Sequence, residues 1–261
     1  MKIAVIGAGA MGGSFVEGLL KSETFKPSDI TVADPTEAKL EKYAQLGASV
    51  TTSNTAAADG PDIVSIVVKP WIVGSVLTEI KDILDYQSQM LIIVAAGVSV
   101  EQIKGWLDKK GKVLPFFLVI PNIAIAQKAS TTFIVPTGAT EAQTKTIKGI
   151  FDELGISFIT EERQLGAGTT LASCGIAYAM RFIRASIEGG VELGFKADMA
   201  QEIVQQTVKG AVEVLQASRL HPEAAIDLVT TPGGVTIKGL NEMEHAGFTS
   251  AVIRGLKAGL Q

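Results

Sequence analysis

A glycine-rich run near the start of the chain has the residue types and the spacing of a phosphate-binding loop. Gly7, Gly9 and Gly12 form the pattern G-x-G-x-x-G, directly after the apolar run 3–6 and before an amphipathic segment that extends to Leu20. In a strand–turn–helix of this kind, the first glycine permits the turn, the second lets the backbone approach a pyrophosphate, and the third lets helix and strand pack closely. The pattern therefore predicts a dinucleotide-binding loop with phosphates at the helix N-terminus. A glycine turn that binds nothing is the alternative.

An acidic residue stands where the ribose of such a cofactor would lie. Asp34 ends the second apolar run, 30–33, and follows Gly12 by about 20 residues, the usual distance in this fold. A carboxylate there accepts hydrogen bonds from the adenosine ribose, which favours NAD over its 2′-phosphorylated form. Thr36 and Lys39 lie close by and could contact a 2′-phosphate, so both NADH and NADPH stay open as the cofactor.

Further candidates follow two later apolar runs, because dinucleotides lie across the carboxyl ends of parallel strands. These are Val67–Pro70 and Ala95–Gly97. Taken alone, Lys69 is also typical of a solvent-exposed lysine at a strand end. The cofactor-binding residues predicted from the motif and the strand ends are Ile6, Gly7, Ala8, Gly9, Ala10, Met11, Gly12, Asp34, Val67, Val68, Lys69, Pro70, Ala95, Ala96 and Gly97.

A second informative segment lies in the C-terminal part of the chain. Pro232, Gly233 and Gly234 force a turn, and the apolar positions after them indicate the start of a helix. Free N–H groups and the positive end of the helix dipole would suit a carboxylate there. Thr231 and Thr236 add hydroxyl groups without charge. The alternative is a capped turn between two helices.

The elements that must position these residues alternate through the first half of the chain. Strand-like runs that are apolar on both faces, separated by helical segments, predict a parallel sheet covered on both sides, a Rossmann-type α/β domain. After about residue 160 the strands stop, which predicts a nucleotide-binding domain 1–160 and a helical domain 161–261. The predicted strands are 3–6, 30–33, 62–69, 90–95, 112–120, 132–135 and 156–159, and the helices include 37–46, 142–154 and 199–216.

One helical segment, 169–193, carries charges only at Arg181, Arg184, Glu188 and Glu192. Such a single polar stripe on an apolar helix indicates burial on most sides. A domain of about a hundred residues can hardly surround it alone, so we expect a second subunit to cover it. The alternative is a helix buried wholly within its own chain.

The composition excludes several classes of protein. The 261 residues are 47% apolar and 19% charged, which suffices for real cores and excludes disorder as the main state. A formal charge of −4 offers no basic surface to nucleic acid. With one cysteine, Cys174, and two histidines, we expect neither a disulfide nor a metal site, and a reducing cytoplasm fits best. The uncharged start, 3–16, resembles a signal-peptide core, but its glycines belong to the loop motif, and we expect no membrane segment.

From end to end the chain resembles pyrroline-5-carboxylate reductases. The resemblance rests on these runs: GAGAMGG at 7–13, VVKP at 67–70, AAGV at 95–98, PN at 121–122, GGVELG at 189–194, QTVKGA at 206–211, HPE at 221–223 and TTPGGVTIKGL at 230–240. The last of these is highly specific. The family makes proline, in the last step of its biosynthesis, by reducing the cyclic imine 1-pyrroline-5-carboxylate with NADPH or NADH.

The resemblance implies roles for residues that the spacing alone does not assign. It implies a homodimer or a ring of dimers interlocked through the helical domains, with the turn of one subunit meeting the nicotinamide bound to a sheet domain. Thr236 would be the catalytic hydroxyl near the imine nitrogen, and Gly233 and Gly234 would hold the substrate carboxylate. Thr231 and Asn122 would also contact substrate, and Asn54 would meet the adenosine side of the cofactor.

The sequence departs from the family pattern at the run 172–178, where Ala-Ser-Cys-Gly-Ile-Ala-Tyr replaces a serine- and glycine-rich run, and at Ile123–Ala124, where a threonine-proline is usual. The first change leaves open a non-catalytic protein that senses NAD(P). A β-hydroxyacid dehydrogenase is the nearest enzymatic alternative, but no lysine lies between Lys148 and Lys196 to serve as its acid/base group.

Overall fold

The computed structural model describes residues 1–260, which form two compact units. The first unit ends at Ser173 and the second begins at Cys174. All strands of the described residues belong to the first unit, and the second is helical. The predicted fold class, a mostly parallel sheet followed by a helical region, is confirmed.

The first unit is built on one eight-stranded sheet. Numbered along the chain, the strands lie side by side across the sheet in the order β3-β2-β1-β4-β5-β6-β7-β8. The strand bounds are β1 (Ile3–Ile6), β2 (Ile30–Ala33), β3 (Ser49–Thr51), β4 (Ile63–Ile66), β5 (Met90–Ile93), β6 (Phe116–Ile120), β7 (Ser130–Thr137) and β8 (Gly155–Ile159).

The first six strands are parallel, β7 is antiparallel to β6, and β8 is parallel to β7. In β1, Ile6 is paired with Ala33 of β2 on one side and with Ile66 of β4 on the other. The order of strands along the chain therefore reverses at β1. In open α/β sheets, ligands bind at the carboxyl ends of the strands beside such a switch point.

Alternate residues of β1 enter two different cores, one on each face of the sheet. Ile3 and Val5 belong to one hydrophobic cluster, and Ala4 and Ile6 belong to the other. None of the four is more than 2% exposed. Side chains alternate across a strand, so a strand covered on both faces must be apolar at every position, as the sequence of β1 is.

Helices cover both faces of the sheet. Two of them begin with capping boxes, in which Ser99 and Gln102, and later Thr140 and Gln143, exchange side-chain and backbone hydrogen bonds. The helices of this unit are α1 (Ala10–Leu20), α2 (Glu41–Gln45), α3 (Asn54–Ala58), α4 (Pro70–Ile80), α5 (Val100–Leu107), α6 (Glu141–Glu153) and α7 (Leu165–Gly168).

The clearest differences from the sequence prediction are in three elements. The helix predicted over 37–46 is divided into a single 3₁₀ turn, Glu37–Lys39, and the five-residue α2, because Leu40 N–H bonds the carbonyl of Glu37 three residues back. Strand β3 was not predicted. The strand predicted from residue 112 begins only at Phe116, since a tight turn occupies 109–112 with positive φ at Lys110 and Gly111.

Residues 161–173, which the sequence assigns to the helical domain, pack against the sheet unit. The Glu162 carboxylate accepts a hydrogen bond from the Val100 amide at 2.7 Å. Gly168 lies so close to the ring of Phe133 that a Cβ atom there would be 2.8 Å from it. Ser173 Oγ donates to the carbonyl of Pro121 at 2.7 Å. These contacts explain why the compact unit extends to Ser173.

As far as residue 260, the second unit contains five helices: α8 (Gly175–Glu192), α9 (Ala197–Ser218), α10 (Pro222–Asp227), α11 (Val235–His245) and α12 (Phe248–Ala258). Phe182 of α8 and Phe248 of α12 pack edge to face, with ring centroids 6.3 Å apart. Within the described chain α8 has no buried residue, so the alternative of a helix buried wholly in its own chain is wrong. Across residues 1–260, none of the helices combines the length and apolarity needed to cross a bilayer.

Candidate functional site

A cavity of about 530 Å³ opens at the carboxyl ends of β1, β2 and β4. It lies at the switch point of the sheet, where the sequence places the dinucleotide. Its walls bring together many of the predicted residues: Ile6, Gly7, Gly9, Ala10, Met11, Gly12, Asp34, Asn54, Val67, Val68 and Lys69.

Two glycines of the loop are required by the fold itself. Gly7 has φ +105°, and a Cβ atom there would lie 2.2 Å from the carbonyl oxygen of Val67. A Cβ atom on Gly12 would lie 1.8 Å from the carbonyl oxygen of Gly7. Neither position can hold a side chain without moving backbone, because these contacts are far inside van der Waals distance. Gly7 and Gly12 therefore fix the loop against the end of β4.

The middle glycine meets a different requirement. A Cβ atom on Gly9 would have no heavy atom within 4 Å, so the fold does not need a glycine there. Gly9 lines the cavity and is the N-cap of α1, whose first turn has no acidic residue and no capping side chain. The N–H groups of the first helical turn have no intrahelical acceptor. Gly9 therefore leaves space beside a set of free backbone donors, as a pyrophosphate requires.

Asp34 is nearly buried and its carboxylate is fully engaged. Oδ2 accepts from the Ala8 amide at 2.9 Å, and Oδ1 accepts from the Thr36 amide at 3.0 Å. Lys39 Nζ lies 3.1 Å from Oδ1 and 3.2 Å from Oδ2. Burial raises the pKa of Asp34, but the Ala8 and Thr36 amides and then Lys39 outweigh it, so this pKa lies below its usual value. Asp34 is therefore ionised and holds the glycine loop to the end of β2.

Polar and charged side chains at two helix starts also line the cavity. Asn54, the first residue of α3, donates through Nδ2 to Glu79 Oε2 at 2.8 Å. Lys69 is the N-cap of α4 and is exposed, and Pro70 occupies the first helical position. Proline suits that position because its missing N–H would have no helical acceptor.

Some predicted cofactor residues lie outside the walls of this cavity. The Ala8 amide is bonded to Asp34, Ala95 is buried, and Gly97 has φ +79° in the turn after β5. The full set outside the walls is Ala8, Pro70, Ala95, Ala96 and Gly97. Their roles in binding a nucleotide stay predictions.

The walls also contain residues that the sequence analysis did not predict. They are Pro35, Ile72, Val76, Val94 and Ile123. Ile72 and Val76 stand four apart on α4, so they share one face of the helix. This spacing is the only sequence feature of these two residues that could indicate a cavity wall. In a sequence, however, it looks the same as the core-facing side of any amphipathic helix.

Asn122 is buried at the end of β6, and both ends of its amide group are used. Its Oδ1 accepts from the Ala124 amide at 3.0 Å, and its Nδ2 donates to the carbonyl of Ala172 at 3.4 Å. The structure thus joins Asn122 to the segment where the chain departs from the family pattern. Its neighbour Ile123, rather than Asn122 itself, lines the cavity.

In the second unit, the predicted turn precedes a helix as expected. Gly233 has φ +74°, and Gly234 is the N-cap of α11 with no capping side chain. The Gly234 amide donates to the carbonyl of Thr231 at 2.9 Å. A Cβ atom on Gly234 would lie 2.5 Å from Thr231 Oγ1 and 3.0 Å from the Thr231 carbonyl oxygen, so a side chain there would have to displace the Thr231 hydroxyl.

The Gly234 amide is therefore used inside the turn, which changes the set of donors open to a carboxylate. The N–H groups of Val235, Thr236 and Ile237 form the first turn of α11 and have no intrahelical acceptor. Thr236 lies in this first turn and is an exposed residue.

Two family models match the chain. A model of pyrroline-5-carboxylate reductase dimerisation matches residues 162–261. A model described as NADP oxidoreductase, coenzyme F420-dependent, matches residues 2–97. The chain thus carries a nucleotide-binding oxidoreductase sequence followed by a sequence associated with self-association.

Curated relatives cover nearly the whole chain. Pyrroline-5-carboxylate reductase 2 of Dictyostelium discoideum is 34% identical over 97% of this chain and 89% of its own length. The reductase of Methanosarcina acetivorans is 34% identical, over 97% of this chain and 94% of its own. Pyrroline-5-carboxylate reductase 1 of D. discoideum is 37% identical over 97% of this chain, which spans 48% of that longer protein.

Solved structures of pyrroline-5-carboxylate reductases are also similar to this chain. The pyrroline carboxylate reductase of Plasmodium falciparum, crystallised with NADP bound, matches with a TM-score of 0.89 and 25% identity, over 100% of this chain and 95% of the other. The Streptococcus pyogenes 1-pyrroline-5-carboxylate reductase matches with a TM-score of 0.86 and 28% identity, over 100% of this chain and 96% of the other.

Proposed function

The chain belongs to the pyrroline-5-carboxylate reductase family, and from that premise we propose that it reduces 1-pyrroline-5-carboxylate to L-proline with NADPH or NADH. The main structural support for the proposal lies at the start of α1. There, backbone amides without helical acceptors and the open space at Gly9 face a cavity at the switch point of the sheet. A dinucleotide fits this arrangement because its pyrophosphate needs backbone donors and close approach.

The chain's residues hold the nucleotide and orient the substrate. When bound, the reduced nicotinamide supplies the hydride that the imine carbon receives. Besides the hydride at carbon, the reduction adds one proton at the imine nitrogen. A protonated imine already carries that proton and is electrophilic, so a strong acid is not required. Orientation by bound groups can supply several kcal/mol of a barrier reduction. This suits a chain with two histidines and one cysteine.

We assign the substrate contacts to the turn before α11. Thr236 is the catalytic residue: its exposed hydroxyl orients the imine nitrogen and donates or relays the proton. Gly233 and the first-turn amides of α11 hold the carboxylate, and Gly234 keeps the turn in shape through its bond to Thr231. Thr231 and Asn122 stay proposed substrate contacts.

We further propose that the active form is a homodimer or a ring of dimers, located in the cytoplasm. The dimerisation match supports self-association through the helical unit. Apolar side chains there, among them Phe182, Val191 and Phe248, are more than 40% exposed in the single chain. A lone cysteine, Cys174, accords with a reducing compartment.

Initial-rate assays test the activity directly. The purified protein is mixed with 1-pyrroline-5-carboxylate and either reduced nucleotide, and nucleotide oxidation is followed by absorbance while the molar mass is measured by light scattering. We expect steady, substrate-dependent oxidation and the mass of a dimer or larger. Nucleotide binding without turnover would instead indicate a sensor, and oxidation of 3-hydroxy acids would indicate the dehydrogenase alternative.

A further inference from the structure

The carboxylate of Asp34 has no free acceptor for a ribose hydroxyl. A carboxylate offers about four lone-pair sites. The Ala8 and Thr36 amides use one on each oxygen, and Lys39 Nζ lies within hydrogen-bond distance of both oxygens. The usual use of an acid at this position, accepting from the ribose 2′-hydroxyl, therefore requires that one of these donors leave.

Lys39 is the donor that can leave. The Ala8 and Thr36 amides are fixed in the backbone, whereas the Lys39 side chain is 48% exposed and reaches Asp34 across a flexible stem. While Lys39 stays in place, its charge neutralises a carboxylate that would otherwise repel an anion. The pair thus favours a phosphorylated ribose over a ribose with two hydroxyls.

A second cavity, of about 370 Å³, lies beside the same lysine. Its walls are Ala8, Ala38, Lys39, Glu41, Lys42 and Gln45, and of these Lys39 also lines the nucleotide cavity. Lys42 Nζ lies 2.9 Å from Glu17 Oε1, so its charge is paired, and Glu41 adds a carboxylate to the walls. The chain therefore offers room for a phosphate group directly beside the ammonium group of Lys39.

We propose that Lys39 is the specificity-determining residue for the nucleotide and makes this chain prefer NADPH over NADH. In this assignment, which rests on the proposed function, Lys39 neutralises Asp34 and donates to the 2′-phosphate, which extends into the second cavity beside Lys42. Asp34 acts as the support of the loop and of Lys39 and accepts nothing from the ribose. Asp34 favours NAD when the sequence is considered alone, but its pairing with Lys39 makes it support binding of NADPH instead.

The test compares Lys39→Met with Lys39→Arg and with Lys145→Met, which removes an exposed lysine of α6. Affinities for NADP⁺, NAD⁺, 2′,5′-ADP and ADP are measured by calorimetry, and kcat/KM is measured with both reduced nucleotides. We expect Lys39→Met to weaken NADP⁺ and 2′,5′-ADP by about 10- to 100-fold, the range that a hydrogen bond to a charged group gives. NAD⁺ and ADP should bind at least as tightly as before, because Asp34 then has a free acceptor for a ribose hydroxyl. Lys39→Arg should keep the wild-type preference, and Lys145→Met should leave all four affinities unchanged.

Two results would overturn the assignment: wild-type protein that binds NAD⁺ at least as tightly as NADP⁺, or a Lys39→Met variant that weakens both nucleotides equally. Lys39→Gln, which keeps a hydrogen-bond donor near Asp34, provides the same comparison if Lys39→Met unfolds at a lower temperature than the wild type. If neither nucleotide binds the wild type, the proposed function itself fails, whereas equal binding of both overturns only the role of Lys39.

Discussion

The two units of the chain contain cavities of the same size, about 530 Å³ each, with opposite chemistry. The cavity of the sheet unit is bounded by a helix start, by Asp34 and by two lysines, Lys39 and Lys69. The groove of the helical unit is bounded mainly by apolar side chains of α8, α11 and α12, among them Phe182 and Phe248. The first therefore suits a charged small molecule, whereas the second suits an apolar protein surface.

The two units also differ in how completely they bury their apolar side chains within the single chain. Every residue of β4 is fully buried, so the sheet unit completes its core within one chain. In the described part of the helical unit, Ala200 is the buried apolar residue, while large apolar side chains of α8, α9, α11 and α12 are exposed. A unit that cannot complete its own core requires another surface, as a dimerisation region does.

Gly12→Ala is expected to give the largest effect, a loss of stability in the sheet unit. The added Cβ atom would lie 1.8 Å from a backbone oxygen, so α1 must move away from β1. We expect a loss of about 3 kcal/mol or more in the free energy of unfolding, measured by urea denaturation. The control is Gly149→Ala in α6, where an added Cβ atom meets no heavy atom within 4 Å. Equal stability of the two variants would show that the loop is not fixed by this contact.

Phe182→Asp tests the helical unit in the same way. It places a charge in the apolar groove, where Phe182 packs on Phe248, and so should weaken self-association at least about 30-fold, the effect of an interface hot spot. Molar mass measured over a dilution series gives the result, and Phe182→Leu is the apolar control. A variant that stays fully associated would contradict the assignment of this groove to the interface.

Gly9→Ala should separate nucleotide binding from folding inside the sheet unit. The fold has room for the methyl group, but the cavity loses the space that a pyrophosphate needs. We expect roughly 10- to 30-fold weaker nucleotide binding by calorimetry, in the range of a modest steric clash. The unfolding free energy should match that of the wild type. Unchanged affinity would show that the phosphates lie elsewhere.

Thr236→Ala is expected to give the smallest change. It tests whether a residue of the helical unit contributes to kcat. Loss of one oriented hydrogen bond should lower kcat about tenfold, while the affinity for the nucleotide stays the same. Thr236→Ser keeps the hydroxyl and should retain most of kcat. A Thr236→Ala variant with full kcat would remove Thr236 from the mechanism.

The sequence predicted the elements whose pattern is local. The run Ile3–Ile6 and the glycines after it specify strand, turn and helix through spacing alone, and the structure has them at those residues. Strand β3 was missed because Ser49–Thr51 is three residues long, lies at the edge of the sheet and is largely exposed, so it has no apolar pattern.

The rest of the site depends on contacts between distant residues. Asn122 meets Ala172 across fifty positions of sequence, and no spacing rule connects them. Lys39 reaches Asp34 because a single 3₁₀ turn follows β2, where the sequence predicts a continuous helix. Ile72 and Ile123 line the cavity with apolar side chains, which a sequence pattern assigns to the core.

The bond between the Ala8 amide and Asp34 has a kinetic consequence. Because the 2.9 Å bond joins two groups of the chain itself, it restricts the glycine loop independently of a ligand and so reduces the ordering that binding requires. Association then resembles rigid-body encounter, with little entropy lost by the loop, and the Ala8 proton should exchange with solvent slowly in the free protein.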